Sequence, residues 1–284
     1  MNAQHTLGAY LRLMRFDKPV GILLLWFPTA WALWIANQGH PSFELKVYFL
    51  LGTILMRAAG CIINDIADRN IDRYVKRTSM RPITTGEVTV ATALKILALL
   101  LFGALMILLQ LPTLCVYWAI AALVMTYVYP YCKRLIEAPQ LVLGLAFSMG
   151  IPMAYVASGL MLSHITLFIF MLNFLWILAY DTIYAMADRE DDLRIGVKST
   201  AIRFAQYDCL IIMILHIVLH LMWLYIAYVI HLKLIFYVGW ILGMIILFHQ
   251  QRLIRQGDTK AYMEAFSENI WYGFIMWFAL VLSE

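Results

Sequence analysis

The sequence predicts an all-α integral membrane protein: a bundle of nine transmembrane helices in which residues 1–284 form a single membrane-embedded domain. Three observations lead there. Hydrophobic residues make up 63% of the chain and its mean hydropathy is +0.80, well above the apolar share of a soluble domain. Apolar runs of about 20 residues, the helical length that crosses a ~30 Å hydrocarbon layer, recur along the whole chain. Basic residues collect in alternate connections.

Taken in order, the apolar runs place spans at 19–36, 47–66, 91–110, 113–131, 138–158, 165–187, 208–230, 234–250 and 265–283. The connections around Pro112 and at His231–Lys233 are very short, so the helices they join run antiparallel and pack together. The long polar connections all fall on the other face. All basic residues except Lys46, Arg57, Lys95 and Lys233 lie in those longer segments. Lys and Arg in short loops stay on the cytoplasmic side, so the amino terminus is expected in the cytoplasm and, with an odd helix count, Glu284 outside. A bacterial inner membrane is the simplest location.

The net charge of +4 is accounted for by this bias and asks for no nucleic-acid partner; nothing points to an obligate protein partner either. Cys61, Cys115, Cys132 and Cys209 show no CxxC spacing and read as reduced packing residues. No cleavable signal or transit pattern is recognisable in the first 18 residues.

Chemistry concentrates at two helix ends. Asp65, Asp68 and Asp72 stand at i, i+3 and i+7, with Asn64 one turn before Asp68, so in a helix they share one side of the second span's cytoplasmic end. Arg57 lies on roughly the same side, about two turns deeper, where a cation is costly unless it faces a polar cavity or pairs with Asp65. After the sixth span, "YDTIYAMADREDDLRIGVKST" repeats the pattern. An offset of 116 residues aligns Asp65 with Asp181, Asp68 with Tyr184, Asp72 with Asp188 and Arg73 with Arg189. Four helices separate the two sets, as in a parallel internal repeat of four helices with one left over.

Carboxylates held this close repel unless something neutralises them. Hard oxygen donors with no Cys or His nearby suit Mg²⁺, which takes one or two carboxylates, keeps waters and fills its other positions with phosphate oxygens. Lys76, Arg77, Arg81, Lys198 and Arg203 supply the cations a polyphosphate needs on its remaining oxygens. An ordinary juxtamembrane loop accounts for one such cluster about as well, but orientation asks only for basic residues, and two matched acidic sets weigh against it.

"NDIADRNID" at Asn64–Asp72 resembles the NDxxDxxxD pattern of the UbiA family of membrane prenyltransferases, and "DTIYAMAD" at Asp181–Asp188 its DxxYxxxD pattern. "RFDKPVG" (Arg15–Gly21), "MRAAGC" (Met56–Cys61), "VKRTSMRP" (Val75–Pro82), "YPYCKR" (Tyr129–Arg134) and "DREDDLRIGVKSTAIRF" (Asp188–Phe204) look like the branch of that family that acts on 4-hydroxybenzoate. The resemblance covers nearly the whole chain. It implies a nine-helix bundle, transfer of a polyprenyl group from its diphosphate to the ring carbon ortho to the phenol of 4-hydroxybenzoate in ubiquinone biosynthesis, and dependence on Mg²⁺. The metal-diphosphate site follows from the residues alone; the acceptor rests on the resemblance.

On that reading Asn64, Asp68, Asp72, Asp181 and Asp188 hold Mg²⁺ against the diphosphate, the four aspartates being the catalytic set. Asp191 and Asp192 stand behind them. Lys76, Arg77, Arg81 and Lys198 bind the diphosphate, and Arg57, Arg134 and Tyr184 the acceptor. Tyr129, Tyr180 and Tyr184 offer ring faces to an allylic cation, Tyr129 reading better as part of an interfacial aromatic belt. His216 and His220 read as interhelical hydrogen-bonding residues, and "GWILG" (Gly239–Gly243) as a close-packing or dimer face. The competing class is a cation-coupled secondary transporter, which would place its acids near the bilayer midplane rather than at helix ends. Within the enzyme class, a naphthoate, homogentisate, haem or chlorophyll-precursor acceptor is the alternative.

Overall fold

The computed structural model describes residues 3–283, the side chains of 3–6 excepted. Among the described residues the regular structure is entirely helical: α1 (Ala3–Leu13), α2 (Val20–Ala36), α3 (Phe43–Asp68), α4 (Val90–Leu108), α5 (Leu114–Leu135), α6 (Pro139–Ser148), α7 (Gly150–Ala157), α8 (His164–Ile195), α9 (Thr200–Phe204), α10 (Asp208–Val229), α11 (Leu234–Ile254) and α12 (Thr259–Ser283). Eight helical segments, with Pro139–Ala157 counted as one, are long and apolar enough to cross a membrane; α2 is apolar but only 17 residues long. The chain is a multi-pass membrane protein. Glu284, expected outside, lies beyond the described residues.

Helix starts follow local chemistry. Ser42, Thr89 and Ser163 each accept a backbone N–H three residues on, the capping arrangement that satisfies otherwise unpaired donors. The fifth predicted span is broken between Ser148 and Gly150 into α6 and α7. Gly150 lies where a Cβ would meet Thr29 of α2, so the break sits at a close helix approach.

The eighth helix overruns its predicted end at residue 187. Its 32 residues extend about 48 Å, more than the hydrocarbon layer needs, so its charged last turns stand beyond the apolar region. Arg194 in the final turn complements the helix dipole, and Gly196, at φ +75°, ends the helix in the left-handed conformation.

The third helix behaves differently. Asp65 and Asp68 occupy its last turn with no basic residue there, an arrangement the helix dipole opposes and that Arg15 and Lys133, reaching in from elsewhere in the chain, offset. The α-helix stops at Asp68, and Asp72 stands in a 3₁₀ turn, Asp72–Tyr74, instead of on the same helix face. The 116-residue correspondence therefore holds through Asp68 and Tyr184 and is lost in backbone conformation beyond them.

The packed core lies on the side of α2, α8, α10, α11 and α12. Trp31 is fully buried, with ring centroids 5.0 Å from Trp176 and 5.1 Å from Trp223. Its indole N–H donates to the Gly273 carbonyl at 3.1 Å, and Trp176 donates to Asn269 Oδ1 at 2.7 Å. Gly239 and Gly243 face Ala279, Met276 and Tyr272, so the GxxxG pattern packs α11 on α12 within the chain. His220 is an interhelical hydrogen-bonding residue, its Nδ1 3.2 Å from the Tyr272 hydroxyl; neither His216 ring nitrogen has a hydrogen-bond partner. On the other side, α3, α4 and α5 stand away from this core and leave a cavity between.

Candidate functional site

That cavity has a volume of about 1300 Å³ and is polar at one end and apolar along the rest. The two acidic sets meet at its polar end: Asn64, Asp68 and Asp72 from α3 and its 3₁₀ turn, and Asp181, Asp188 and Asp192 from α8, all line it. Residues 116 positions apart in sequence thus face one space.

Each bank carries its own cations. Lys133 of α5 donates to Asp68 Oδ2 at 3.2 Å and to Asn64 Oδ1 at 3.4 Å. Arg81 Nη1 donates to Asp72 Oδ2 at 2.8 Å. Across the cavity Arg77 Nε donates to Asp188 Oδ1 at 2.9 Å, its Nη1 bonds the Tyr184 hydroxyl, and its guanidinium carbon lies 4.2 Å from the Tyr184 ring centroid. Because Arg77 belongs to the loop after Asp72, it ties the first bank's loop to the second bank's helix.

Burial pushes the Asp72 carboxyl above its ordinary range, with Arg81 pulling the other way. For Arg81 itself, burial favours the neutral form, but Asp65 and Asp72 outweigh it and the net shift is upward. The guanidinium stays charged.

Asp181 lines the cavity and makes no hydrogen bond or ion pair with another described residue. Asp65 is 1% exposed and pairs with Arg15, not with Arg57. Arg57 lies further in, with its guanidinium carbon 5.7 Å from the Phe147 ring centroid and a buried Nε that has no hydrogen-bond partner. Gly21 sits directly against this guanidinium, so closely that a Cβ there would collide with it.

Not every expected residue reaches the cavity. The Lys76 side chain is exposed and away from it, only the backbone N–H being engaged, by Asp191 at 3.0 Å. Arg134 lies outside, donating to the Ala67 carbonyl at 2.8 Å at the end of α3, as a cation at a helix C-terminus does. Lys198 lines the cavity while its Nζ donates to the Leu135 carbonyl at 3.1 Å. Arg203 is turned to Glu137. Two residues that the sequence reading left without a role, Lys133 and Arg15, are part of the polar end; both lay inside motifs already noticed, Lys133 in "YPYCKR" and Arg15 in "RFDKPVG".

The arrangement is chemically specific. Among the described residues no three His, Cys, Asp or Glu side chains already converge as a closed metal site. Paired carboxylates with open positions between them fit Mg²⁺ that shares its coordination with phosphate and water, and fit poorly a metal that needs a full protein cage. The cations interleaved with the acids are of a kind that suits phosphate oxygens.

The family model for the UbiA prenyltransferase family matches residues 25–279. The chain belongs to the UbiA prenyltransferase family. Relatives include the 4-hydroxybenzoate octaprenyltransferase of Legionella pneumophila (strain Paris), 55% identical over 276 residues that make up 97% of this chain and 98% of that one. The protein of the same name from Coxiella burnetii (strain RSA 331 / Henzerling II) is 43% identical over 284 residues, 100% of this chain and 99% of that one. The fold is shared with the apo UbiA homolog from Aeropyrum pernix K1, at TM-score 0.79 and 21% identity over 91% of this chain and 97% of that one. It is also shared with a UbiA homolog from Archaeoglobus fulgidus bound to GPP and Mg²⁺, at TM-score 0.71 and 21% identity over 94% of this chain and 99% of that one.

Proposed function

We propose that this protein transfers a polyprenyl group from polyprenyl diphosphate to the ring carbon ortho to the hydroxyl of 4-hydroxybenzoate, giving 3-polyprenyl-4-hydroxybenzoate and diphosphate in ubiquinone biosynthesis. The observation that carries this reading is the sharing of one cavity by two cation-paired aspartate banks at its mouth and an arginine, Arg57, deeper in. The naming of relatives as much as 55% identical over nearly their full length supports the acceptor.

Asn64, Asp68 and Asp72 from one bank and Asp181 and Asp188 from the other would hold Mg²⁺. Bound there, Mg²⁺ offsets negative charge on the departing diphosphate. Arg77, Arg81, Lys133 and Lys198 bind the diphosphate oxygens and stabilise the charge that builds as the allylic C–O bond breaks. The electron-rich ring attacks the prenyl carbon, and loss of that ring carbon's proton restores aromaticity. Tyr129, Tyr180 and Tyr184 line the cavity and supply aromatic surface beside the region where the cation forms. Arg57, short of hydrogen-bond partners, takes the acceptor carboxylate.

The prenyl tail lies in the apolar part of the cavity. There α4 and α5 are consecutive yet scarcely touch, and Leu105, Ile120 and Leu123 both line the cavity and face outward, so the tail reaches lipid between these helices. The 17 residues of α2 make about 26 Å of helix, which is enough for a ninth span. With the basic loops inside, the amino terminus and the site face the cytoplasm, the carboxyl terminus faces out, and the protein resides in the bacterial inner membrane.

The test is product formation by purified protein from labelled polyprenyl diphosphate, with and without Mg²⁺, offering 4-hydroxybenzoate, a dihydroxynaphthoate and homogentisate in turn. Metal-dependent product from 4-hydroxybenzoate alone supports the reading; product from another acceptor, or none from any, overturns it.

A further inference from the structure

Asp65 is the most deeply buried acid of the first motif, and its partners are unusual. Arg15 Nη2 donates to both of its oxygens, at 2.7 and 2.8 Å, from the link between α1 and α2. Arg15 is held at φ +61°, a left-handed conformation that a non-glycine residue keeps only where its surroundings fix it. In that conformation its other terminal nitrogen reaches back to the Arg12 carbonyl at 2.7 Å. Arg81 also faces Asp65, but through the same Nη1 that donates to Asp72: that nitrogen is 3.1 Å from Asp65 Oδ1 and 2.8 Å from Asp72 Oδ2. Two carboxylates thus compete for one end of one guanidinium, and Arg15 satisfies one of the competitors.

We propose that Arg15 and Asp65 are positioning residues that set where Arg81 stands. By satisfying both oxygens of Asp65, Arg15 stops that buried carboxylate from drawing Arg81 away from Asp72. Arg81 lines the cavity, and its Nε and Nη2, which make no hydrogen bond to another described residue, then stay available for phosphate oxygens. Asp65 on this account touches neither metal nor substrate, although it sits inside the aspartate motif. The proposal rests on the diphosphate reading above.

Removing Arg15 alone is the informative perturbation. In Arg15→Ala the buried Asp65 has only Arg81 to neutralise it, and leaving it unpaired is costly, so Arg81 is captured and the donor KM rises about tenfold or more while kcat changes much less. In the double variant Arg15→Ala/Asp65→Asn nothing captures Arg81, and most of the donor affinity returns. A role confined to capping α1 does not produce such recovery, since the cap is missing in both variants. Arg15→Lys, which keeps the charge but loses the paired geometry, falls between wild type and Arg15→Ala.

The experiment measures donor KM and kcat, and the Mg²⁺ concentration for half-maximal rate, for the full-length protein in detergent. Thermal melts accompany each variant. Recovery of donor KM in the double variant supports the relay. A double variant as impaired as Arg15→Ala, or an Asp65→Asn variant whose kcat is abolished as for a metal ligand, overturns it. Should Arg15→Ala not fold, Arg15→Lys with and without Asp65→Asn makes the same comparison. If wild type prenylates no aromatic acceptor, Mg²⁺-dependent diphosphate release from the donor is read in the same variants, so failure of the acceptor reading and failure of the relay remain distinct.

Discussion

The Arg77 guanidinium lies 4.2 Å from the Tyr184 ring centroid and also donates to Asp188 at 2.9 Å, so a single side chain from the loop after α3 is bound twice to α8. This contact joins the two aspartate motifs and fixes the polar end of the cavity. Lysine cannot reproduce it, having a point charge in place of a planar fork that both stacks and bonds. Arg77→Lys is expected to raise the donor KM about tenfold, and its effect should be non-additive with Asp188→Asn in a double-mutant cycle. Additive losses would show that the two side chains act separately.

Gly21 leaves the space that the Arg57 guanidinium fills. A methyl group there displaces the guanidinium proposed to meet the acceptor carboxylate, and a misplacement of about 1 Å can cost a hundredfold. Gly21→Ala should therefore raise the KM for 4-hydroxybenzoate ten- to about a hundredfold, while donor KM stays near wild type. Initial rates against each substrate in turn separate the two effects.

Arg57 and Arg134 were equal candidates for the acceptor carboxylate in the sequence, and the fold separates them. Arg134 is 42% exposed and turned to the end of α3, outside the cavity, with its Nη2 3.6 Å from Asp68 Oδ1; Lys133 stays on that carboxylate when Arg134 is removed, so the loss is about 1 kcal/mol or less. Arg134→Ala should change the acceptor KM less than about fivefold, whereas Arg57→Ala should lose about two orders of magnitude or more in kcat/KM.

Asn269 accepts the only hydrogen bond available to the buried Trp176 indole among the described residues. Asn269→Leu strands that donor in an apolar core at a cost of about 1–3 kcal/mol. The melting temperature in detergent should fall, with the rate per folded molecule unchanged, because Asn269 lies outside the cavity.

Composition and run length carry most of the fold into the sequence, since a bilayer leaves few lengths for an apolar helix and charge bias orders the connections. Asp68 and Asp72, with Asp181 and Asp188, are equally legible, because clustered acids beside apolar runs need a cationic partner. Where α3 stops is less legible. Helical spacing carried Asp72 onto the same face as Asp68, but the α-helix stops at Asp68 and Asp72 stands in a 3₁₀ turn held by contacts from the following loop, the Thr78 hydroxyl donating to its carbonyl and Arg81 to its carboxylate. Lys133 was hidden because it lies some 65 positions from Asp68, and only the packing of α5 on α3 brings them together. Lys76 and Arg134 show the converse: being next to a motif in sequence does not turn a side chain into the cavity. The break between α6 and α7 is signalled by Pro152, which has no N–H for the Ser148 carbonyl one turn earlier, while Gly150 has its reason in the approach of Thr29 from another helix.

The central claim is that both aspartate banks act on one diphosphate. The most direct measurement is Mg²⁺-dependent diphosphate release and ring prenylation in the presence of 4-hydroxybenzoate by wild type, Asp68→Asn and Asp188→Asn. Loss of both products by each substitution, with the melting temperature retained, is the predicted result. Undiminished release of diphosphate by either variant would contradict a shared site.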